Sequence, residues 1–140
     1  METWDAYDEK FNKIPNVTLI RGKPVPEGMF HLVCDIAVKH TNGKYLLMQR
    51  AYNKHLGGMW ELTAGGSALQ GETPIECAIR ELKEETGIDC KKLQKLGVVI
   101  DKNHRSYYFE YLCITEINKN AVILQANETI TNDIPLGIGE

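Results

Sequence analysis

This chain has no run of about 18 apolar residues, the least that a membrane-spanning helix needs. It has no surplus of positive charge either. Lys and Arg number 16 against 19 Asp and Glu, a net charge of −3, so broad attraction to nucleic acid or an anionic membrane is not expected. Cys34, Cys77, Cys90 and Cys113 form no C-x2-C pair, which argues against a zinc site. The N-terminus opens on acidic and aromatic residues, without the basic-then-apolar pattern of a secretion signal. An even cysteine count without such a signal is weak grounds for disulfides; Cys34 and Cys113 lie in apolar stretches and read as buried thiols. The four histidines, His31, His40, His55 and His104, show no spacing typical of a metal site. There is no repeat, low-complexity tract or linker, and 140 residues suit one domain, residues 1–140, with a core of its own. A cytoplasmic location fits.

What the chain does have is concentrated between Gly66 and Ile88. Gly66 is followed after five residues by Glu72, after seven more by Arg80-Glu81-Leu82, then by Glu84-Glu85 and Gly87-Ile88. Carboxylates packed this densely repel one another unless a hard cation such as Mg²⁺ neutralises them. The same stretch carries helix signals. Thr73 is the expected N-cap, with Pro74 at the first helical position, Glu76 completing a capping box and Gly87 the left-handed stop. Ile75, Ala78, Ile79, Leu82 and Thr86 have the spacing of a buried stripe, centred on Ile79 and Leu82. Glu81, Glu84 and Glu85, related as i, i+3 and i+4, share a neighbouring face, and Arg80 can reach back toward Glu72. A face selected for stability would pair Glu with Lys; here Glu81 faces Glu85, a like-charge pair costing a few tenths of a kcal/mol.

This stretch resembles the Nudix box, G-x5-E-x7-R-E-U-x-E-E-x-G-U with U aliphatic, at every fixed position. Trp60-Glu61 followed by Gly65-Gly66 is similar to the approach to the box in many members. Trp4-Asp5-Ala6-Tyr7-Asp8 and Phe30-His31-Leu32 resemble a subgroup close to isopentenyl-diphosphate isomerase. The resemblance implies an α/β fold, an α/β/α sandwich around a mixed β-sheet with the box as loop–helix–loop. It implies Mg²⁺-dependent hydrolysis (Mn²⁺ a substitute) of a nucleoside diphosphate linked to another group. By the same resemblance, Glu84 and Glu85 are core metal ligands and Glu81 is a ligand or the base that activates water. Arg80 orients Glu81, Glu72 pairs with Arg80, and the Gly65 carbonyl completes the metal shell. Gly66 is expected to permit a tight turn where the loop leaves the strand. A further carboxylate is sought among Glu61, Glu110, Glu116 and Glu128. Glu128 is favoured, because Leu124-Gln125 and Glu128-Thr129-Ile130 resemble a later family segment that reaches the site.

Phosphate-binding cations are sought among Arg50, Lys54, Arg105 and Lys23, with Arg50 preferred as the end of a strand near the box. Tyr107, Tyr108 and Phe109 are core aromatics or base-stacking ones. Strands are expected at Phe30–Val38, Tyr45–Gln49, Trp60–Ala64, Leu93–Ile100 and Ser106–Ile117. The first two are joined by a type I′ turn at Asn42-Gly43. Alternation along the last leaves room for cover on both faces.

Asn132 to Glu140 contains a Pro and two Gly and cannot hold a stable helix. The usual C-terminal helix of the family is therefore expected to be missing. That would leave a sheet face bare and open to homodimerisation. Two other functions compete. An isomerase of the isopentenyl-diphosphate type needs a cysteine at the box entrance and a metal-binding histidine just after it; here Gly65 and Ser67 stand there. A catalytically silent nucleotide-binding module usually loses box carboxylates, and all are kept here.

Overall fold

The computed structural model describes residues 1–53, 56–62, 64–118 and 121–122, together with the backbone of 129–133. The elements run β1 (Thr3–Tyr7), β2 (Lys13–Ile20), β3 (His31–His40), β4 (Leu47–Arg50), β5 (Trp60–Leu62), β6 (Ala64–Ser67), α1 (Pro74–Thr86), β7 (Gln94–Asp101), β8 (Ser106–Thr115) and β9 (Thr129–Asp133). The central sheet is mixed, in the order β6-β3-β8-β7, with β3 and β8 parallel and the other two pairs antiparallel. A second sheet has the order β5-β4-β9, and β1 and β2 form a separate hairpin. The architecture is α/β, with α1 the one helix longer than a turn among the described residues; a second helical layer has no counterpart among them.

Period-two burial on two neighbouring strands builds the core. Leu32, Cys34, Ile36 and Val38 from β3 meet Tyr107, Phe109, Tyr111 and Cys113 from β8, and α1 adds Cys77, Ala78 and Leu82 to the same cluster. Tyr107 and Phe109 are therefore core residues. Only one face of β8 is fully covered, for Ile114 is 58% exposed. The flank of the edge strand β7 also leaves Leu96, Val99 and Ile100 exposed.

Three local expectations change. The strand leading into the box is β6, not Trp60–Ala64: Trp60–Leu62 belongs to the other sheet, against β4. The β3–β4 turn is not type I′, which needs positive φ at both central residues. Gly43 alone has it, at 94°, and its N–H bonds His40 O at 2.9 Å, the pattern of a three-residue loop with a left-handed glycine. Helix α1 has the expected Thr73 capping box and left-handed Gly87, but its buried face is rotated. Cys77, Ala78, Leu82, Glu85 and Thr86 are buried, whereas Ile75 is exposed. Docking on β6, whose glycines admit the helix closely, brings a carboxylate inward where the apolar pattern put Ile79. Asn132 and Asp133 lie in β9; residues 134–140 lie outside the described ones, and with them the question of a missing helix.

The β1–β2 hairpin was not foreseen as strands. It carries its own small core of Trp4, Ala6 and Leu19. Trp4 stacks on His31, with centroids 4.3 Å apart and planes 13° from parallel. His31 Nε2 lies 2.8 Å from Ser106 Oγ, while buried Nδ1 has no hydrogen-bond partner among the described residues. Burial pulls the His31 pKa from 6.5 down to about 4. Below pH 6.5 the unfolded chain protonates this ring and the folded one does not, so stability is full above 6.5 and falls as pH drops toward 4. The expected loss is up to about 3 kcal/mol. Urea midpoints measured across that window should fall less steeply for His31→Gln; parallel curves would assign the loss elsewhere.

Candidate active site

Helix α1, strand β6 and the loop between them build the site around one guanidinium. Arg80 grips Glu72 with two hydrogen bonds, Nε to Oε2 at 2.6 Å and Nη2 to Oε1 at 2.9 Å. Its Nη1 donates to Glu81 Oε1 at 2.9 Å and to Glu84 Oε2 at 3.2 Å, and Nη2 reaches Ser67 O at 3.2 Å. The planar fork of arginine makes this many-sided grip feasible; a lysine could not copy it. Glu72 Oε1 also accepts from Leu69 N–H at 2.7 Å, so the loop is tied to the helix through the same carboxylate. Glu85 is buried and accepts from Gly65 N–H at 2.8 Å.

Gly66 lies within β6, not at a turn, and its need is steric. A Cβ there would lie 2.5 Å from the Glu81 carboxyl carbon. Gly65 is hemmed in by backbone as well: a Cβ would lie 2.5 Å from Asp35 Oδ1 and 2.9 Å from Cys34 O. Burial pushes Glu81 above the usual carboxylate range, Arg80 pulls it back, and Glu84 and Glu2 add to the rise. The Arg80 guanidinium is held charged more firmly than usual, chiefly by Glu72.

Arg80, Glu81, Glu84, Glu85 and the two glycines line a cleft of about 500 Å³ with Arg50, Glu61, Asp35, Glu2 and Arg21, while Glu72 is not among its lining residues. Arg50 ends β4 inside it, its Nη1 3.2 Å from Glu61. Glu110 is the register partner of Asp35 across β3 and β8. Glu116, Lys23 and Arg105 are not among the residues lining it, and Arg105 is turned onto Val25 O. Glu128 and Lys54 lie outside the described residues. Sequence reasoning missed Asp35, Glu2 and Arg21. For Asp35 the signal was available, a lone carboxylate inside an apolar strand run. Burial, then the neighbouring Glu110 and Glu61, push its pKa up to about 7.

Among the described residues no three His, Cys, Asp or Glu side chains already converge as a metal-ligand set. Instead Glu81 and Glu84 are turned onto Arg80 and Glu85 onto Gly65 N–H. The donor chemistry still fits a hard divalent cation, since it is all oxygen, anionic and on one cleft wall. The Arg80–Glu84 contact, with Glu84 46% exposed, is weakly held by solvent-screened attraction and is the easiest to exchange for a cation.

Residues 29–131 match the family model for the NUDIX domain, and the chain belongs to the Nudix family. An uncharacterised Nudix hydrolase of Listeria innocua is 36% identical over 115 residues, 79% of this chain. The chain spans 62% of that relative's length. An 8-oxo-dGTP diphosphatase of Proteus vulgaris is 36% identical over 61% of this chain and 71% of its own. An isopentenyl-diphosphate Δ-isomerase of Rhodobacter capsulatus is 32% identical over 80% of this chain and 57% of its own. A crystal structure from Deinococcus radiodurans superposes with TM-score 0.78 at 17% identity, covering 94% of this chain and 82% of that one; it shares the fold.

Proposed function

We propose that this protein is a Mg²⁺-dependent pyrophosphohydrolase acting on a nucleoside diphosphate derivative. One observation carries the reading: a single arginine, anchored by Glu72, holds Glu81 and Glu84 beside Glu85 on the wall of one cleft. Glu81, Glu84, Glu85 and the Gly65 carbonyl would hold the cation, and Glu128 is the further candidate ligand. Mg²⁺ supplies charge neutralisation to the pyrophosphate and acidifies water. Arg80, anchored by Glu72, fixes the Glu81 carboxylate. Glu81 takes the proton as a water oxygen bonds to phosphorus. The bridging P–O bond breaks, and its electron pair leaves with the departing phosphate. Arg50, which lines the same cleft, would bind that phosphate.

The isomerase reading is weaker than sequence similarity alone implies. A cysteine at position 65 would put its Cβ against Asp35 and the Cys34 carbonyl, so the backbone here is shaped around glycine. Free thiols at Cys34, Cys77, Cys90 and Cys113 support a reducing, cytoplasmic setting. The exposed apolar flank of β7 supports homodimerisation, which sedimentation velocity would show as a concentration-dependent shift.

The test is product release from nucleoside triphosphates, nucleotide sugars and dinucleoside polyphosphates, with Mg²⁺ and with chelator. Chelator-sensitive turnover of one class is expected. Turnover that persists in excess chelator would contradict the metal assignment, and conversion of isopentenyl diphosphate would favour the isomerase.

A further inference from the structure

We propose that the β1–β2 hairpin, which precedes the family-matched segment, positions the catalytic carboxylates through Asp5; this rests on the function proposed above. Asp5 is among the few buried charged side chains, 6% exposed. A carboxylate buried this far is costly unless it is paired and hydrogen-bonded. Its Oδ2 accepts from Gly71 N–H at 2.7 Å and meets Lys13 Nζ at 3.2 Å. Gly71 lies in the loop between β6 and α1 with φ of 88°.

Its neighbour Gln70 is fastened to the same hairpin. Gln70 N–H donates to Thr3 O at 2.9 Å, its side-chain amide to Thr18 Oγ1 at 3.1 Å, and Thr3 Oγ1 donates to Gln70 Oε1 at 3.0 Å. Glu72, the residue after Gly71, anchors Arg80 and through it Glu81. The hairpin is itself fixed to the start of β3, where Tyr7 and Phe30 exchange backbone hydrogen bonds of 2.8 Å. A rigid path thus runs from β3 through Asp5 and the loop to the guanidinium. An apolar residue at position 5 would leave the Gly71 N–H without this acceptor; a charge that grips a loop amide sets geometry.

Asp5 is a positioning residue, so its test compares Asp5→Asn, which keeps an acceptor for Gly71, with Asp5→Leu, which does not. Near-ultraviolet circular dichroism establishes the folded fraction. Two readouts follow: proton exchange at Arg80 Nε–H by nuclear magnetic resonance, and Mg²⁺ affinity by calorimetry. Asp5→Leu is expected to speed that exchange and weaken Mg²⁺ binding about tenfold, with Asp5→Asn within about twofold of the unmodified protein. Folded Asp5→Leu with both readouts unchanged would overturn the inference. Should Asp5→Leu not fold, amide exchange at Gly71 in the unmodified protein decides: slow exchange supports the bond to Asp5, and exchange as fast as an open loop overturns it. Absence of Mg²⁺ binding by the unmodified protein would sink the proposed function instead, and Arg80 exchange would still judge the hairpin.

Discussion

Arg80→Met is expected to lower kcat/KM by about 10²- to 10³-fold and to weaken Mg²⁺ binding about tenfold. Among the described residues the guanidinium is the one positive group that Glu72, Glu81 and Glu84 share, so its removal releases three carboxylates together. Breaking a buried charged pair costs about 3–5 kcal/mol. Here Arg80 keeps 23% exposure and Glu84 46%, so about 2 kcal/mol is a fair figure. The signature is how Mg²⁺ acts on that loss. A ligand that binds only the folded state stabilises it by about 2.7 kcal/mol at a hundred times its Kd. In the variant the carboxylates are no longer held in place for the cation, so melting temperature should rise less with Mg²⁺ than in the unmodified protein. Arg80→Lys should recover little, because one ammonium cannot grip Glu72 twice and still reach Glu81. Unchanged kcat/KM in folded Arg80→Met would refute the orienting role.

The two glycines of β6 should separate function from stability. Gly66→Ala places a methyl 2.5 Å from the Glu81 carboxyl carbon, the free end of a side chain that can swing away. Neither glycine has a positive φ, so the backbone itself accepts alanine. The Glu81 carboxylate is displaced from Arg80, and turnover should fall about 10²-fold, as misplacing a catalytic group by an ångström does, with little change in melting temperature. Gly65→Ala presses on the Cys34 carbonyl at 2.9 Å as well as on Asp35, and backbone cannot swing. Overpacking of that kind costs about 1–3 kcal/mol, so this variant should melt lower. Equal thermal losses in the two variants, with no selective loss of turnover in Gly66→Ala, would contradict the steric account.

The parts legible in the sequence were those whose physics is local. Thr73, Pro74, Glu76 and Gly87 act within a turn of the helix ends, and α1 has the expected caps and bounds. The reach of Arg80 to Glu72 followed from one helix and one short loop. Non-local features were read less well. The face that α1 buries depends on β6, whose glycines let Glu85 in against Gly65 N–H, and apolar spacing carries no information about that partner. Gly66 was read as a turn residue because glycine's backbone freedom is visible in sequence, whereas the approach of Glu81 is not. The hairpin escaped because its pairing, Thr3 with Ile20 and Tyr7 with Lys13, spans a polar stretch, where a positive φ at Phe11 and Asn16 breaks the usual strand pattern. Asp35 was passed over with its apolar strand, although a lone carboxylate in such a run is itself a signal.

The central claim is that these carboxylates bind Mg²⁺ to hydrolyse a pyrophosphate bond. Its most direct test is Glu84→Gln, an isosteric change at a half-exposed position that leaves Arg80 its contacts with Glu72 and Glu81. Mg²⁺ affinity and hydrolysis should be measured together on the folded variant, using the substrate class that the unmodified protein turns over. Both are expected to fall, affinity by at least about tenfold and turnover with it. Hydrolysis that continues unchanged, at the same Mg²⁺ concentration dependence, would contradict the account.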